Sequence, residues 1–598
     1  MKLSAKTKNA IPSLFVNTSK YDGITFPYTK DKTVFIDFET YFNSYKPEML
    51  SMCIDGKKYG WDIDVITRQG FYKEFLDNFF TALNEARKVG AHDCKFELMV
   101  LRTIGYPYQN LLHKMIDTRA LPHVLNTNNK LERTGLKAQV LQVFKHQMVE
   151  YEQAVNLSRD EFMNYCMEDS YWSERLFHYY VPKIRQFQLE VAYQLEVQIA
   201  FVLVEMKAVG TYFNKNKLLD LKPVVEKQLI DYHKEMCSIS KSVINPRSSK
   251  DLEHVIYTKF QLPNKWTTEK GNKCFNEEAI QGMIKWCSKN KPEVTSFFTS
   301  LLSYTALKKF KDMYLTYAKK TKTSDGKPRF LDMIGDDGYI RTSYDQMFAA
   351  SSRLTSRDPN LQNLPSGRFG AETIRKCFEA PSGYKLIGCD YSQFELKIMA
   401  HYSQDESFLH AFNNNIDVHQ MTADKMKLEG KEGRKKAKQA NFKIPYGAAA
   451  PSFVDTFNVS LEEAKEIIND WYNTFPNVKK FLEENAKFGS VYGYMPCLTG
   501  KIRKLDVTTF VENECKNHPM QNTNADIMKL VMIFLWKVFF PTPCKIIMQI
   551  HDELIVMVPE KWVDWAKKVI EFTFQNMYKL SVPLTADAVV AENWYDTK

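Results

Sequence analysis

Two apolar runs that end in a carboxylate limit the folds open to this chain. Tyr384-Lys-Leu-Ile-Gly-Cys-Asp390 leads into Tyr391-Ser-Gln-Phe-Glu395. Lys545-Ile-Ile-Met-Gln-Ile-His551 and Glu553-Leu-Ile-Val-Met-Val558 flank Asp552. Each run has strand length and an apolar pattern, so each predicts a strand that delivers an aspartate to its tip or turn. Two such tips side by side offer paired carboxylate oxygens, which suit Mg2+.

Between them lies Arg434-Lys-Lys-Ala-Lys-Gln-Ala-Asn-Phe-Lys-Ile-Pro-Tyr-Gly447. Read as a helix, Arg434, Lys438 and Phe442 fall at i, i+4 and i+8 on one face. Pro445 and Gly447 supply the stop. Two cations followed by a ring suit a ligand with a polyphosphate at one end and a flat base at the other. The stretch alone would equally describe a solvated basic helix with a core Phe.

In this order and spacing the three stretches resemble the A, B and C motifs of family A DNA polymerases. The resemblance implies an α/β multidomain chain ending in a right-hand polymerase of palm, fingers and thumb. It implies transfer of a nucleotide from a dNTP to a primer 3′-hydroxyl, with two Mg2+ ions about 3.5–4 Å apart and Mn2+ as a possible substitute. Asp390 and Asp552 would bridge the metals, with the Tyr391 carbonyl as a further ligand. Lys438 and Arg434 would meet the phosphates, and Lys438 would also protonate the leaving pyrophosphate. Phe442 and Tyr446 would pack on sugar and base. Phe442 lacks a hydroxyl, which implies discrimination against dideoxynucleotides. Glu395 would exclude a 2′-hydroxyl. Asp417-Val-His419 resembles a phrase whose His touches the polyphosphate, and Arg368 resembles a pyrophosphate contact. Lys443, where relatives usually carry Gly, reaches either template phosphate or solvent.

Further phrases extend the likeness. Ser352-Arg353 to Pro365 resembles the segment that holds the primer–template, with Arg353 in the minor groove. Asn517-His-Pro-Met-Gln521 resembles another; the likeness as a whole implies that Asn517, Gln521, His551 and Glu553 meet primer or template. For Glu553 the first expectation is a place behind the metal ligands, the second a place near the primer end. Asn513 stands where many relatives carry Arg. Gly493 to Lys504 holds a turn and a basic run that would touch the template.

The front of the chain carries other acids. Thr33-Val-Phe-Ile-Asp37-Phe-Glu39 reads as a strand whose two carboxylates share a face; unless a cation lies between them they repel. Ala91-His-Asp93-Cys-Lys-Phe-Glu97 and Tyr165-Cys-Met-Glu168-Asp169 follow. Singly these are ordinary surface charges. Together they resemble the three motifs of DnaQ-like 3′–5′ exonucleases, which have an RNase H-like fold. That implies a second pair of metals on Asp37, Glu39, Glu97 and Asp169, with Tyr165 orienting water. Glu97 replaces the usual Asp, and Asp93 the usual Asn.

The boundaries expected are a terminal segment 1–25, an exonuclease domain 26–189, and a thumb with the start of the polymerase at 190–345. Palm at 346–404, fingers at 405–500 and palm again at 501–598 complete the chain. Glu190 to Gly210 reads as amphipathic, and Ser248 or Ser249 as a helix cap. A 5′-nuclease domain is not expected before Asp37.

The chain has 598 residues, enough for several domains. Its net charge of +10 is compatible with a nucleic-acid groove and does not require one. Eleven cysteines without a C-x-x-C pair favour free thiols in a reducing compartment and argue against structural zinc. No apolar run approaches the ~20 residues of a membrane span. The expectation is a phage-type cytoplasmic replication enzyme, in a host cytoplasm if viral. Its partners would be primer–template DNA and dNTPs, and possible further ones a helicase, a single-strand-binding protein or a processivity factor. Three rivals remain: a single-subunit RNA polymerase, a non-catalytic nucleic-acid-binding protein, and a polymerase without proofreading. Glu395, the His551-Asp552-Glu553 triplet and the acidic front oppose the first. Retention of Asp390, Asp552, Lys438 and Arg434 opposes the second, because bare binding has no use for paired acids that repel DNA.

Overall fold

Val34, Phe35, Ile36 and Phe38 bury both faces of the strand Thr33–Thr40 (β1). Such a strand belongs in the middle of a sheet. Pro47–Ile54 (β2) pairs with it antiparallel, and Lys57–Asp62 (β3) pairs antiparallel with β2. Lys88–Ala91 (β4) joins the other side of β1 in parallel, followed in parallel by Met115–Asp117 (β5). The order is β3-β2-β1-β4-β5. Lys95–Thr103 (α1) and Leu136–Phe144 (α2) precede the long helix Arg159–Gln186 (α3), which crosses β1, β2 and β3. A capping box between Ser158 and Glu161 starts α3. The computed structural model describes residues 26–598 except 42–43, 129–132, 269, 319–327, 366–368, 458, 507 and 510. The terminal segment 1–25 and Arg368 therefore lie outside the described residues.

Glu190–Val209 (α4) departs from the amphipathic expectation. Leu195, Val197, Ile199, Phe201 and Val202 bury it all round. The reason is its place: it packs on α1 in front and on the polymerase-like half behind, and one apolar core runs through all of them. Leu221–Ser240 (α5), Glu277–Asn290 (α6) and Thr295–Tyr314 (α7) build a separate core on Met236, Met283, Phe297 and Phe298. Between α5 and α6, Ser248 is the residue that caps, accepting from Asp251 N at 3.2 Å.

The second sheet is wholly antiparallel. Tyr384–Tyr391 (β6), Lys545–Ile550 (β7), Glu553–Pro559 (β8) and Ala586–Ala591 (β9) stand in the order β7-β8-β6-β9. Between β6 and β7 come Phe394–Ser403 (α8), Val418–Lys425 (α9), Gly430–Lys443 (α10), Leu461–Thr474 (α11) and Glu512–Phe539 (α12). With Val563–Asn576 (α13), α12 covers one face of the sheet. All eleven cysteines are free thiols. Among the described residues no helix is long and apolar enough to cross a membrane.

Candidate functional site

The second sheet gathers its acids at one end. Asp390 lies directly opposite Glu553 across the β6–β8 pair, and the β7–β8 turn holds His551 and Asp552. His551 takes φ +56°, the left-handed region that makes so tight a turn. Burial lifts the Asp552 carboxyl to about 6, helped by Glu395 and Asp390 and opposed by Arg353. Burial also raises Asp390, with Lys598 pulling the other way. Asp552 Oδ1 is buried with no hydrogen-bond partner. Neighbouring acids kept from water, one with an orphaned oxygen, have the donor chemistry of a divalent-cation site. Glu553 differs. It is 2 % exposed, and Lys598 Nζ stands 3.1 Å from its Oε2. Its carboxylate is buried next to Asp390, which favours a place beside the two aspartates over a primer contact.

Glu395, in the first turn of α8, is gripped from two sides. Arg353 makes an ion pair with it, and Tyr446 Oη donates to Oε2 at 2.5 Å. Tyr391 is fixed by its buried ring, stacked 4.1 Å from Phe394, and by its hydroxyl, which donates to Phe574 O at 2.8 Å.

α10 ends at Lys443, two residues before Pro445. Gly447 follows at φ +81°, with Asn513 so near that a Cβ there would meet its Oδ1 at 2.0 Å. Lys438 is exposed and Phe442 half-buried. Arg434 is engaged: Nη2 lies 2.7 Å from Asp417 Oδ2. His419, 3 % exposed, packs its ring 5.8 Å from that of Phe442. The Lys443 ammonium lies 5.7 Å from the Phe453 ring centroid.

A second acidic group sits on the first sheet. Asp37 and Glu39 of β1 and Asp169 of α3 offer carboxylate oxygens within 4.8 Å of one another. Glu97 stands just outside this trio, 2 % exposed, with Oε2 unpartnered. Burial first, then the neighbouring acids, lifts Glu39 to about 8 and Asp37 well above the usual range. Burial lifts Asp169 to about 7, with Lys137 and Tyr165 opposing. Lys137 Nζ donates to Tyr165 Oη at 3.0 Å, which leaves the phenol proton to face Asp169. Asp93 takes φ +63°, a conformation Asp and Asn tolerate better than most residues. Its carboxylate accepts from Arg119 Nη1 at 2.7 Å. Arg119 also bonds Asp345, on the polymerase-like side, at 3.0 Å.

This trio makes a signed pH prediction. Without metal, carboxyls raised in the fold hold protons that the unfolded chain releases near pH 4, so stability falls as pH rises from there through about 8. Metal-stripped protein should therefore melt at a lower temperature at pH 8 than at pH 6. Mg2+ or Mn2+ should restore the loss at pH 8, and Asp169→Asn should shrink that gain. Thermal melts at the two pH values check this; an equal Tm with and without metal would count against cation binding.

The family model for DNA polymerase family A matches residues 215–596, more than half of the chain. The chain belongs to DNA polymerase family A. DNA polymerase I of Borreliella burgdorferi is 27% identical over 94% of this chain and 62% of its own length. The thermostable DNA polymerase I of Thermus filiformis is 30% identical over 73% of this chain and 52% of its own. The chain thus spans about half to three-fifths of these relatives. The polymerase domain of Pol1 from M. smegmatis, solved with DNA primer-template and dNTP, shares the fold: TM-score 0.81 at 21% identity, covering 95% of this chain and 96% of that one.

Against this family frame, Arg353, Asp390, Glu395, Tyr446 and Asp552 come together, and Arg434, Lys438, His419 and Phe442 form a neighbouring group. Asn517 and Gln521 are half-buried on α12, and His551 is exposed. The basic run near residue 500 needs correcting. Lys501 is fully buried, in ion pairs with Glu196 and Asp526, and Arg503 Nη2 lies 2.8 Å from Glu514 Oε2. The strand Ile502–Lys504 is occupied by residues 126–128, with Thr127 N donating to Ile502 O at 2.8 Å. Lys501 and Arg503 are therefore structural cations rather than template contacts. Two further residues carried no local signal. Lys137 lies 28 positions before its partner Tyr165, and Asn441, on the buried side of α10, looks like filler between Lys438 and Phe442.

Proposed function

We propose that the chain is a template-directed DNA polymerase that adds dNTPs to a primer 3′-hydroxyl, with a 3′–5′ exonuclease in an RNase H-like front domain. The domain bounds are those given above, and the role is DNA replication. The observation that carries the reading is the convergence of Asp390 and Asp552 beside the Arg353–Glu395–Tyr446 cluster at the tip of the antiparallel sheet.

Asp390, Asp552 and the Tyr391 carbonyl would hold the polymerase metals; Asp37, Glu39, Glu97 and Asp169 the exonuclease metals. Bound Mg2+, with Mn2+ as substitute, would lower the pKa of the attacking oxygen and neutralise the leaving one. Exposed Lys438 approaches the phosphates and protonates the departing pyrophosphate. Arg434 joins by sharing or releasing Asp417, its present partner. Phe442 and Tyr446 pack against sugar and base. Glu395 cannot swing away to admit a 2′-hydroxyl, because Arg353 and Tyr446 hold both of its oxygens. Arg353, Asn517, Gln521 and His551 line the duplex.

At the front site Lys137 fixes Tyr165 so that its hydroxyl orients water, and offsets the charge of Glu39 and Asp169. Removing a misplaced nucleotide there extends the limited discrimination of base pairing.

A 5′-labelled primer on a template tests both parts. With Mg2+ and dNTPs the wild type should lengthen the primer, and rNTPs should be used far less well; equal use would point to the RNA polymerase rival. Without dNTPs the primer should shorten, and Asp37→Ala should slow shortening by at least about 10²-fold while extension persists. An intact primer with wild-type protein would mean that the front domain does not edit.

A further inference from the structure

α10 offers the nucleotide reading two cations and a ring, but the ring of His419 beside them is held by a buried relay that the reading does not use. Asn441 is fully buried, as is Trp471 of α11. Trp471 Nε1 lies 2.7 Å from Asn441 Oδ1. An indole N–H can only donate, so that atom of the amide must be the oxygen. The amide nitrogen then faces Thr422 Oγ1 at 3.1 Å and His419 Nδ1 at 3.0 Å. The Thr422 hydroxyl spends its proton on Val418 O at 2.7 Å, so it can accept from the amide. Both amide protons are thus assigned, one to Thr422 and one to His419 Nδ1. A nitrogen that accepts carries no proton, which leaves the imidazole proton on Nε2.

We propose that Asn441 is a positioning residue: through the Trp471–Asn441–His419 relay it fixes the Nε2–H tautomer, so that His419 meets the incoming polyphosphate as a neutral hydrogen-bond donor. The inference rests on the dNTP-binding reading of α10. The charged groups around the ring are Asp417 on its own helix and Arg434 and Lys438 on α10. Burial and the two cations hold the imidazole down to about 4 against Asp417, so the ring is uncharged at neutral pH. A donor of this kind does not switch off between pH 6 and 8. It also adds no third positive charge to a site whose cations must release pyrophosphate.

Asn441→Asp is the informative change. A carboxylate still accepts from Trp471, so the buried indole keeps its partner, and it accepts from Thr422 once that hydroxyl turns its proton from Val418 O, but it presents only acceptors to Nδ1. The neutral ring must then put its proton on Nδ1 and turn a bare Nε2 lone pair toward the phosphate. At lower pH the new carboxylate favours the imidazolium, which donates from Nε2 again. Steady-state extension should therefore show KM for dNTP raised about ten-fold at pH 8, with most of the loss recovered at pH 6. Wild type should show no such recovery. On a His419→Ala background, Asn441→Asp should add little.

A loss equal at both pH values, or additive with His419→Ala, would overturn the proposal in favour of a packing role. The tautomer is read separately by ¹⁵N NMR of histidine-labelled protein, with His419→Ala to assign the signal. An Nε2–H ring is expected, and an Nδ1–H ring in wild type would overturn the proposal. This second readout needs no turnover, so failure of the polymerase reading and failure of the relay are distinguishable.

Discussion

Asp552→Ala should abolish primer extension, by about 10³-fold or more in kcat/KM, while leaving the chain folded and the exonuclease activity proposed for the front domain unchanged. The size follows from what the carboxylate is for. Asp552 is set in a turn and lifted to about 6 by burial, at a cost the fold bears without any partner on Oδ1. Taking it away relieves a strained acid cluster, so the melting temperature of the metal-free protein should hold steady or rise. Chemistry without it lacks one of the two aspartates that would hold the metals.

The control is Glu553→Gln, one residue along. Glu553 is buried beside Asp390 and against Lys598. Its change should cost stability, and activity less than Asp552→Ala does. A quench-flow single-turnover assay with preformed primer–template separates chemistry from binding. If Asp552→Ala kept a tenth of the wild-type rate, the metal-bridging role would be wrong, and the non-catalytic rival would regain ground.

What could be read from the sequence follows the range of the interactions. β6, β7 and β8 carry their own pattern, and the helix carrying Arg434, Lys438 and Phe442 has its stop within a few residues, so both were legible. The Asp37–Glu39 pair was legible for the same reason, since residues i and i+2 share a strand face. The two grips on Glu395 were not, because Arg353 and Tyr446 lie 42 and 51 positions away. α4 was misread because its hydropathy does not say that two halves of a protein clasp it. Lys501 and Arg503 were misread because a basic residue looks the same in sequence whether it meets phosphate or a buried acid. Asp93 stands out in the sequence where the resembled motif has Asn, but its ties to Arg119 and, through it, to Asp345 appear only in three dimensions.

Lys501→Met should destabilise the protein more than any surface change. Lys501 and Lys529 meet Glu196 and Asp526 in a cluster with essentially no solvent exposure. Lys529 Nζ lies 2.7 and 2.8 Å from the two Glu196 oxygens, and Thr499 Oγ1 donates to Asp526 Oδ2 at 2.5 Å. Two cations and two anions balance, so the cluster is neutral as a whole. Glu196 comes from α4, Asp526 and Lys529 from α12, and Lys501 from the turn that leads into the strand Ile502–Lys504. Removing Lys501 leaves two buried carboxylates to share one ammonium. Breaking a buried pair in this way costs about 3–5 kcal/mol, whereas Lys504→Met, at an exposed position, should cost under about 0.5 kcal/mol. Glu196 is held down to about 2, chiefly by Lys501 and Lys529 against its burial. Its share of stability is therefore complete above the unfolded carboxyl pKa near 4.5 and is lost as pH falls toward 2. In Lys501→Met that acid-side loss should shrink, because Glu196 has lost its strongest partner and its folded pKa moves up toward the unfolded value. Differential scanning calorimetry of wild type, Lys501→Met and Lys504→Met from pH 2 to 7 measures both effects. Equal melting of the two variants would mean that water or a rearranged Lys529 replaces the missing charge, and that the cluster does not hold α4 to α12.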